Sequence, residues 1–209
     1  MVRIRRPRRR FKQGLRGHVA RERGAHPEAV IELWAMDEHR VGLIPILRRV
    51  WAPRGKRPRA VVRPRYEWLY LVAFVHPESG RTSFWIVPQL NARVFAAILT
   101  AFVEEQGFNE RKRLLLVLDG AGWHTADLVR APPGTTFIPQ PPYSPELQPA
   151  ERLWPISNEP LANRSFIALA ELEAVLARRC CEMAEMQDFL RGLCFYHWWP
   201  STQTSTHSV

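Results

Sequence analysis

Cysteine is scarce: Cys180, Cys181 and Cys194 are the only three in 209 residues, with no CxxC spacing. They cannot all pair internally, so a reducing compartment is expected rather than a disulfide framework, and the spacing gives no zinc-ligand pattern. Long apolar runs are missing as well. None reaches the roughly 18 residues a membrane helix needs, and the arginine-rich start lacks the apolar core of a signal peptide. The expected location is the cytoplasm, with no membrane partner. Acids are few, 20 Asp and Glu against 30 Lys and Arg, a formal charge of +10. Such an excess suits a polyanion, nucleic acid before an anionic membrane surface, although charge alone equally fits a solvated basic surface. No internal repeat interrupts the chain, and its length suffices for one substantial core.

Residues 1–28 open with Arg3, Arg5, Arg6, Arg8, Arg9, Arg10 and Lys12, and the first twelve residues carry no acid. Such a block repels itself, and the expectation is a flexible basic arm and linker whose natural neighbour is phosphate. A folded domain is expected over 29–187, and 188–209 as a C-terminal extension, partly disordered. Within the domain, Val30 to Met36 reads as a strand running into Asp37, and Val41 to Ile46 with Arg49 to Trp51 as a second. A basic stretch follows, Arg54, Lys56, Arg57, Arg59, Arg63 and Arg65. It is either a loop tracking a phosphate backbone or a solvated hairpin. Trp68–Val75 and Thr82–Val87 form a hairpin. Asn91 caps a helix with Val94, Ile98 and Phe102 on one stripe, and Gly107 ends it.

Leu114 to Leu118 is apolar without alternation, the mark of a strand buried on both faces. Asp119 ends it and Gly120 breaks it, placing that acid at the carboxyl end, where open α/β sheets hold their ligands. Thr135 to Pro139 is a last edge strand. Helices begin after Pro149, with Glu151 in the first turn, and after Ser165, where Leu169, Leu172, Leu176, Cys180 and Met183 keep helical spacing. Strands, helix, strand, strand and terminal helices describe an α/β fold, a mixed sheet flanked by helices, of which the ribonuclease-H-like arrangement is one.

Three carboxylates from separate elements suit Mg²⁺, which prefers oxygen and takes only one or two carboxylates per ion. Asp37, Asp119 and Glu151 are the candidates, with Glu38, Glu146 and Asp127 as competitors. Each also has a bland reading, since acids beside strand ends are commonly solvated and a first-turn Glu favours the helix dipole.

Three blocks sharpen the choice: Trp34-Ala35-Met36-Asp37-Glu38, Val117-Leu118-Asp119-Gly120-Ala121-Gly122-Trp123-His124, and Pro142-Tyr143-Ser144-Pro145-Glu146-Leu147-Gln148-Pro149-Ala150-Glu151-Arg152-Leu153-Trp154. They resemble the catalytic blocks of bacterial insertion-sequence transposases related to mariner elements, the third most specifically. The resemblance runs from about Val30 to about Met186. It implies a ribonuclease-H-like DDE catalytic domain that cuts and joins DNA with Mg²⁺, Mn²⁺ serving as substitute, and Asp37, Asp119 and Glu151 as catalytic and metal-binding residues. DNA, both transposon ends and target, is the implied partner, together with a second copy of the chain when DNA is bound. The implied place is the bacterial nucleoid.

The sequence departs from the family in four places. The Asp119 to Glu151 interval is short, Gly120 stands where asparagine is common, and Pro155 removes an N–H that would have bonded the Glu151 carbonyl. The upstream helix-turn-helix region is missing, so the chain reads as the downstream half of a transposase, with that region possible on a separate subunit. His124 is either an accessory site residue or structural. The alternatives to a transposase are a non-catalytic remnant or accessory DNA-binding protein, and a ribonuclease-H-like nuclease that cuts without joining.

Overall fold

A computed structural model of the chain describes residues 5–56, 65–122 and 129–203. Its centre is a five-stranded sheet in the order β3-β2-β1-β4-β5. The strands are β1 (Val30–Gly42), β2 (Trp68–His76), β3 (Arg81–Val87), β4 (Lys112–Leu118) and β5 (Thr135–Pro139). β1 is the hinge of the topology. Its first half pairs parallel with β4 and its second half antiparallel with β2, while β2–β3 is the expected antiparallel hairpin and β4–β5 is parallel.

Because side chains alternate along a strand, two cores form. Even-numbered Trp34, Met36, Leu114, Leu116 and Leu118 meet α2 (Ala92–Gln106) through Phe95, Leu99 and Phe102. Odd-numbered Leu33, Ala35, Leu115 and Val117 face the other helices, α1 (Arg5–Ala25), α3 (Trp154–Ser157), α4 (Leu169–Ala184) and α5 (Gln187–Cys194). This is the ribonuclease-H-like mixed sheet flanked by helices. Local signals set the ends of α2. The Asn91 side chain accepts from the Arg93 and Val94 amides, and Gly107 closes the helix at φ 68°, a left-handed value that glycine takes at no steric cost.

Three expectations are corrected. The arm is not free: residues 5–25 form α1, because Leu15 and Val19, both buried, and half-buried Phe11 recur at helical spacing beneath the arginines. Arg113 of β4 ties the helix down through Glu22 at 2.5 Å. The second strand expected after Val41 does not form. β1 continues to Gly42, and Pro45 has no N–H to give a ladder, so Ile44, Leu47, Val50 and Trp51 face outward. Finally, the described part of the C-terminal segment, residues 188–203, packs on the core through Leu190, Cys194 and Trp199, all buried, while 204–209 lie outside the described residues. Glu78 holds it from the β2–β3 turn, accepting from the Thr202 amide at 2.8 Å and from the Ser201 and Thr202 hydroxyls. Burial pushes the Cys180 and Cys194 thiols up to about 12, so these two cysteines pack rather than react. Among the described residues no helix is long and apolar enough to cross a membrane.

Candidate active site

Strand register brings the first two acids together. Ala35 pairs with Val117 in the parallel β1–β4 ladder, and two residues further on each chain stand Asp37 and Asp119. Parity puts Asp37 on the odd-numbered face, opposite α2. Asp119 lies just past the end of β4, where its Oδ1 accepts from the Ala121 amide at 2.9 Å. That bond turns the chain away from the strand.

Glu151 arrives from a separate element, a 3-10 turn at Pro149–Leu153 that gives way to α3, with Pro155 in its first turn. Two side chains lash this element to β1. Gln148, itself buried, donates from Nε2 to the Met36 carbonyl at 2.8 Å, and Trp154 donates from Nε1 to Asp37 Oδ2 at 3.2 Å. Glu151 lies between these two ties. Beneath it Ala150 and Leu153 are buried in the core.

The three acids line one cavity of about 340 Å³ with Gly120, Gln140, Tyr143 and Gln148. No Lys or Arg is among its described lining residues. The electrostatics follow. Burial, then the charges of Glu38 and Glu151, hold the Asp37 carboxyl well above the usual range, against hydrogen bonds from the Glu38 amide and Trp154. Burial and the Asp119 charge raise Glu151. Each carboxylate makes its neighbour harder to ionise, a repulsion that a cation would relieve. Among the described residues no group of three or more His, Cys, Asp or Glu is assembled as a ready ion-holding cluster. An oxygen-only donor set that approaches in pairs still suits Mg²⁺, which keeps most of its ligand positions for water and phosphate.

The competitors lie elsewhere. Glu38 is on the opposite face of β1 by parity, and Glu146 is exposed and ion-paired to Arg8 Nε at 2.9 Å. Asp127 and His124 lie outside the described residues, as do Arg57, Arg59 and Arg63 of the basic stretch. Arg54 and Lys56 are exposed. Arg65 is engaged internally, with Glu67 at 2.9 Å and the Ile167 carbonyl at 2.6 Å.

Several contributors had no sequence signal as site residues. Trp154 stacks on His39, ring centroids 5.1 Å apart, and His39 Nε2 meets Asn158 Oδ1 at 3.0 Å. Burial lowers the His39 pKa, so the ring backing Trp154 is neutral near pH 7. Gln148 had a partial signal: a residue before proline at a helix start is a cap position. Its bond to β1 is long-range and leaves no local trace.

Residues 32–173 match the family model described as DDE superfamily endonuclease. The uncharacterized protein y4pE/y4sA of Sinorhizobium fredii is 29% identical over 100 residues, spanning 47% of this chain and 73% of that protein. Among solved structures, the mariner Mos1 paired end complex with Mg superposes with a TM-score of 0.61 at 18% identity, covering 92% of this chain and 60% of that one. The Mos1 paired end complex with Mn gives 0.57 at 16% identity, covering 94% and 64%. At such identities the likeness is one of fold, and the chain spans about 60% of the length of those solved chains.

Proposed function

The chain belongs to the DDE superfamily endonuclease family, and from that premise we propose that it is the catalytic domain of a transposase, cutting and joining DNA strands through Asp37, Asp119 and Glu151. The observation that carries this reading is the single cavity lined by those three carboxylates and, among its described lining residues, by no basic side chain. Asp37, Asp119 and Glu151 would hold Mg²⁺, or Mn²⁺ in its place, which when bound would supply activation of a water or 3′-hydroxyl and stabilisation of the leaving oxygen in an in-line displacement at phosphorus. The residues' own task is to hold position. Asp37, within β1 two residues past its last parallel pair with β4, and Asp119, just past the end of β4, are brought near each other by that register. Glu151 comes from its 3-10 turn, and Gln148 and Trp154 keep that turn against β1.

Arg54, Lys56, Arg57, Arg59 and Arg63 are the proposed backbone contacts to DNA, with a salt-dependent and sequence-tolerant contribution to binding, whereas Arg65 is taken up by Glu67 and the Ile167 carbonyl. Processing of two ends together calls for a second copy of the chain, and end recognition for a helix-turn-helix unit. One observation favours the non-catalytic alternative, the absence of a ready three-ligand cluster among the described residues.

The deciding experiment incubates the protein with supercoiled plasmid and a 3′-hydroxyl oligonucleotide in Mg²⁺ or Mn²⁺, beside Asp119→Asn. The expected result is nicking and joining by the parent, with DNA binding alone retained by the variant. Equal cutting by both refutes the assignment. Binding without cutting by the parent leaves the non-catalytic reading, and cutting without joining leaves a nuclease.

A further inference from the structure

The loop between β5 and the Glu151 turn carries a side chain that the fold does not use. Tyr143 is 92% exposed, yet its backbone sits at φ 54°, in the left-handed region that bulky side chains rarely adopt. Nothing is gained in packing by this arrangement, and glycine or asparagine would take the same turn more cheaply.

The conformation is nevertheless held from several sides. Arg8 of α1 donates from Nη2 to the Tyr143 carbonyl at 2.8 Å and from Nε to the Ser144 hydroxyl at 3.1 Å. Buried Gln140 donates from Nε2 to the Ser144 carbonyl at 2.7 Å, and the Ser144 hydroxyl donates to the Pro142 carbonyl at 3.2 Å. Pro142 and Pro145 flank the turn, and their rings fix φ on either side. A strained position that its surroundings over-determine, at the rim of a chemical site, is where strain serves function. Tyr143 lines the same cavity as Asp37, Asp119 and Glu151.

We propose that the Tyr143 ring is a stacking platform for an unpaired base of the nucleic-acid strand whose phosphate enters the acid-lined cavity. The inference rests on the phosphoryl-transfer reading above. A strand that presents one phosphate to the acids carries bases on either side of it, and bringing backbone into a cavity unstacks the nearest of them. A flat, exposed aromatic face accepts any base, so the platform needs no hydrogen-bonding code. The chain's excess of cations brings the polyanion to the surface; the ring fixes where one base rests.

The test compares the parent with Tyr143→Phe and Tyr143→Gly, without divalent cation so that no strand is cut. The probes are a blunt duplex and a duplex with a short single-stranded overhang containing 2-aminopurine. The parent and Tyr143→Phe should quench the 2-aminopurine on binding. Tyr143→Gly should lose the quenching and about tenfold in affinity for the overhang duplex, with blunt-duplex affinity unchanged. Because glycine accepts the positive φ, this variant should melt no lower than the parent, which separates a lost platform from a damaged fold. Undiminished quenching and overhang affinity in Tyr143→Gly overturn the platform while leaving the phosphoryl-transfer reading intact. A parent that binds neither duplex overturns both.

Discussion

The indole Nε1 of Trp154 donates to Oδ2 of Asp37 at 3.2 Å, while the Glu38 amide donates to Oδ1 at 2.9 Å. These two donors favour the ionised carboxylate against burial and two neighbouring acids, which push its pKa up. Trp154→Phe keeps most of the ring volume and the stack on His39 but removes the donor, so the Asp37 pKa should rise further. A proton then competes harder with the metal. The cation concentration needed for half-maximal cleavage should increase roughly 10- to 100-fold, the usual cost of losing a partner that orients a ligand, and the rate-against-pH profile should move to higher pH. A variant with unchanged metal demand and unchanged profile would show that Trp154 only packs.

Gln148 ties the turn bearing Glu151 to the strand bearing Asp37. Gln148→Leu keeps similar volume but leaves the buried Met36 carbonyl without that donor, at about 1–3 kcal/mol. Urea unfolding should report the loss in stability. Cleavage at saturating metal should fall further than stability explains, because Glu151 is no longer held between two fixed points. Equal cleavage per folded molecule would mean that the Trp154 contact alone positions the turn.

The sheet was legible in the sequence because its elements follow from local pattern, whereas Asp37, Asp119 and Glu151 were preferred to Glu38, Glu146 and Asp127 only through the three blocks that resemble a transposase family. The unalternating run before Asp119, the two-stranded hairpin from Trp68 and the capped helix after Asn91 are each local in sequence, and each formed. The strand expected after Val41 failed because Pro45 stands within an otherwise apolar run, where a missing N–H outweighs residue preference. The contacts of Gln148, Trp154 and Arg8 escaped the sequence for a different reason. Their partners are 112, 117 and 135 residues away, separations at which no spacing rule applies. The first helix was missed because arginine density masked a stripe of only two fully buried residues, Leu15 and Val19.

That helix supplies the third prediction. Leu15 has no exposed surface, so Leu15→Ala should destabilise the whole domain by about 2–5 kcal/mol through lost burial and the cavity left behind. Thermal unfolding should shift as one transition, since Leu15 shares a core with β1 and β4. A mobile arm would register no change. An unshifted midpoint would therefore restore the reading of residues 1–28 as a tail.

The last prediction concerns acid stability and turns on His76. Its side chain is buried, with Nδ1 at 2.7 Å from the Ser79 hydroxyl and its ring 5.3 Å from that of Trp34. Burial pushes its pKa down to about 4, with Arg81 and Lys112 acting in the same direction and Glu32 and Glu78 opposing them. The unfolded chain binds the proton near the ordinary value of 6.5, whereas the folded chain refuses it until about 4. Between those values the unfolded state holds more protons, so stability falls as pH falls, by a total on the order of 3 kcal/mol. Above 6.5 both states are neutral at this site and the full stability is present. Lowered Glu32 also loses stability on acidification, but only once pH drops below its ordinary 4.5. The interval from pH 6.5 to 4.5 therefore excludes Glu32; His39 acts there with the same sign as His76 and the raised Asp37 and Glu151 with the opposite sign, contributions that parent and His76→Gln share and that cancel in their comparison. Urea unfolding of the parent and of His76→Gln at pH 7 and pH 5 tests this directly. The parent should lose more stability between the two than the variant does, whatever their absolute values; parallel losses would mean that His76 takes up its proton in the folded chain as readily as in the unfolded one.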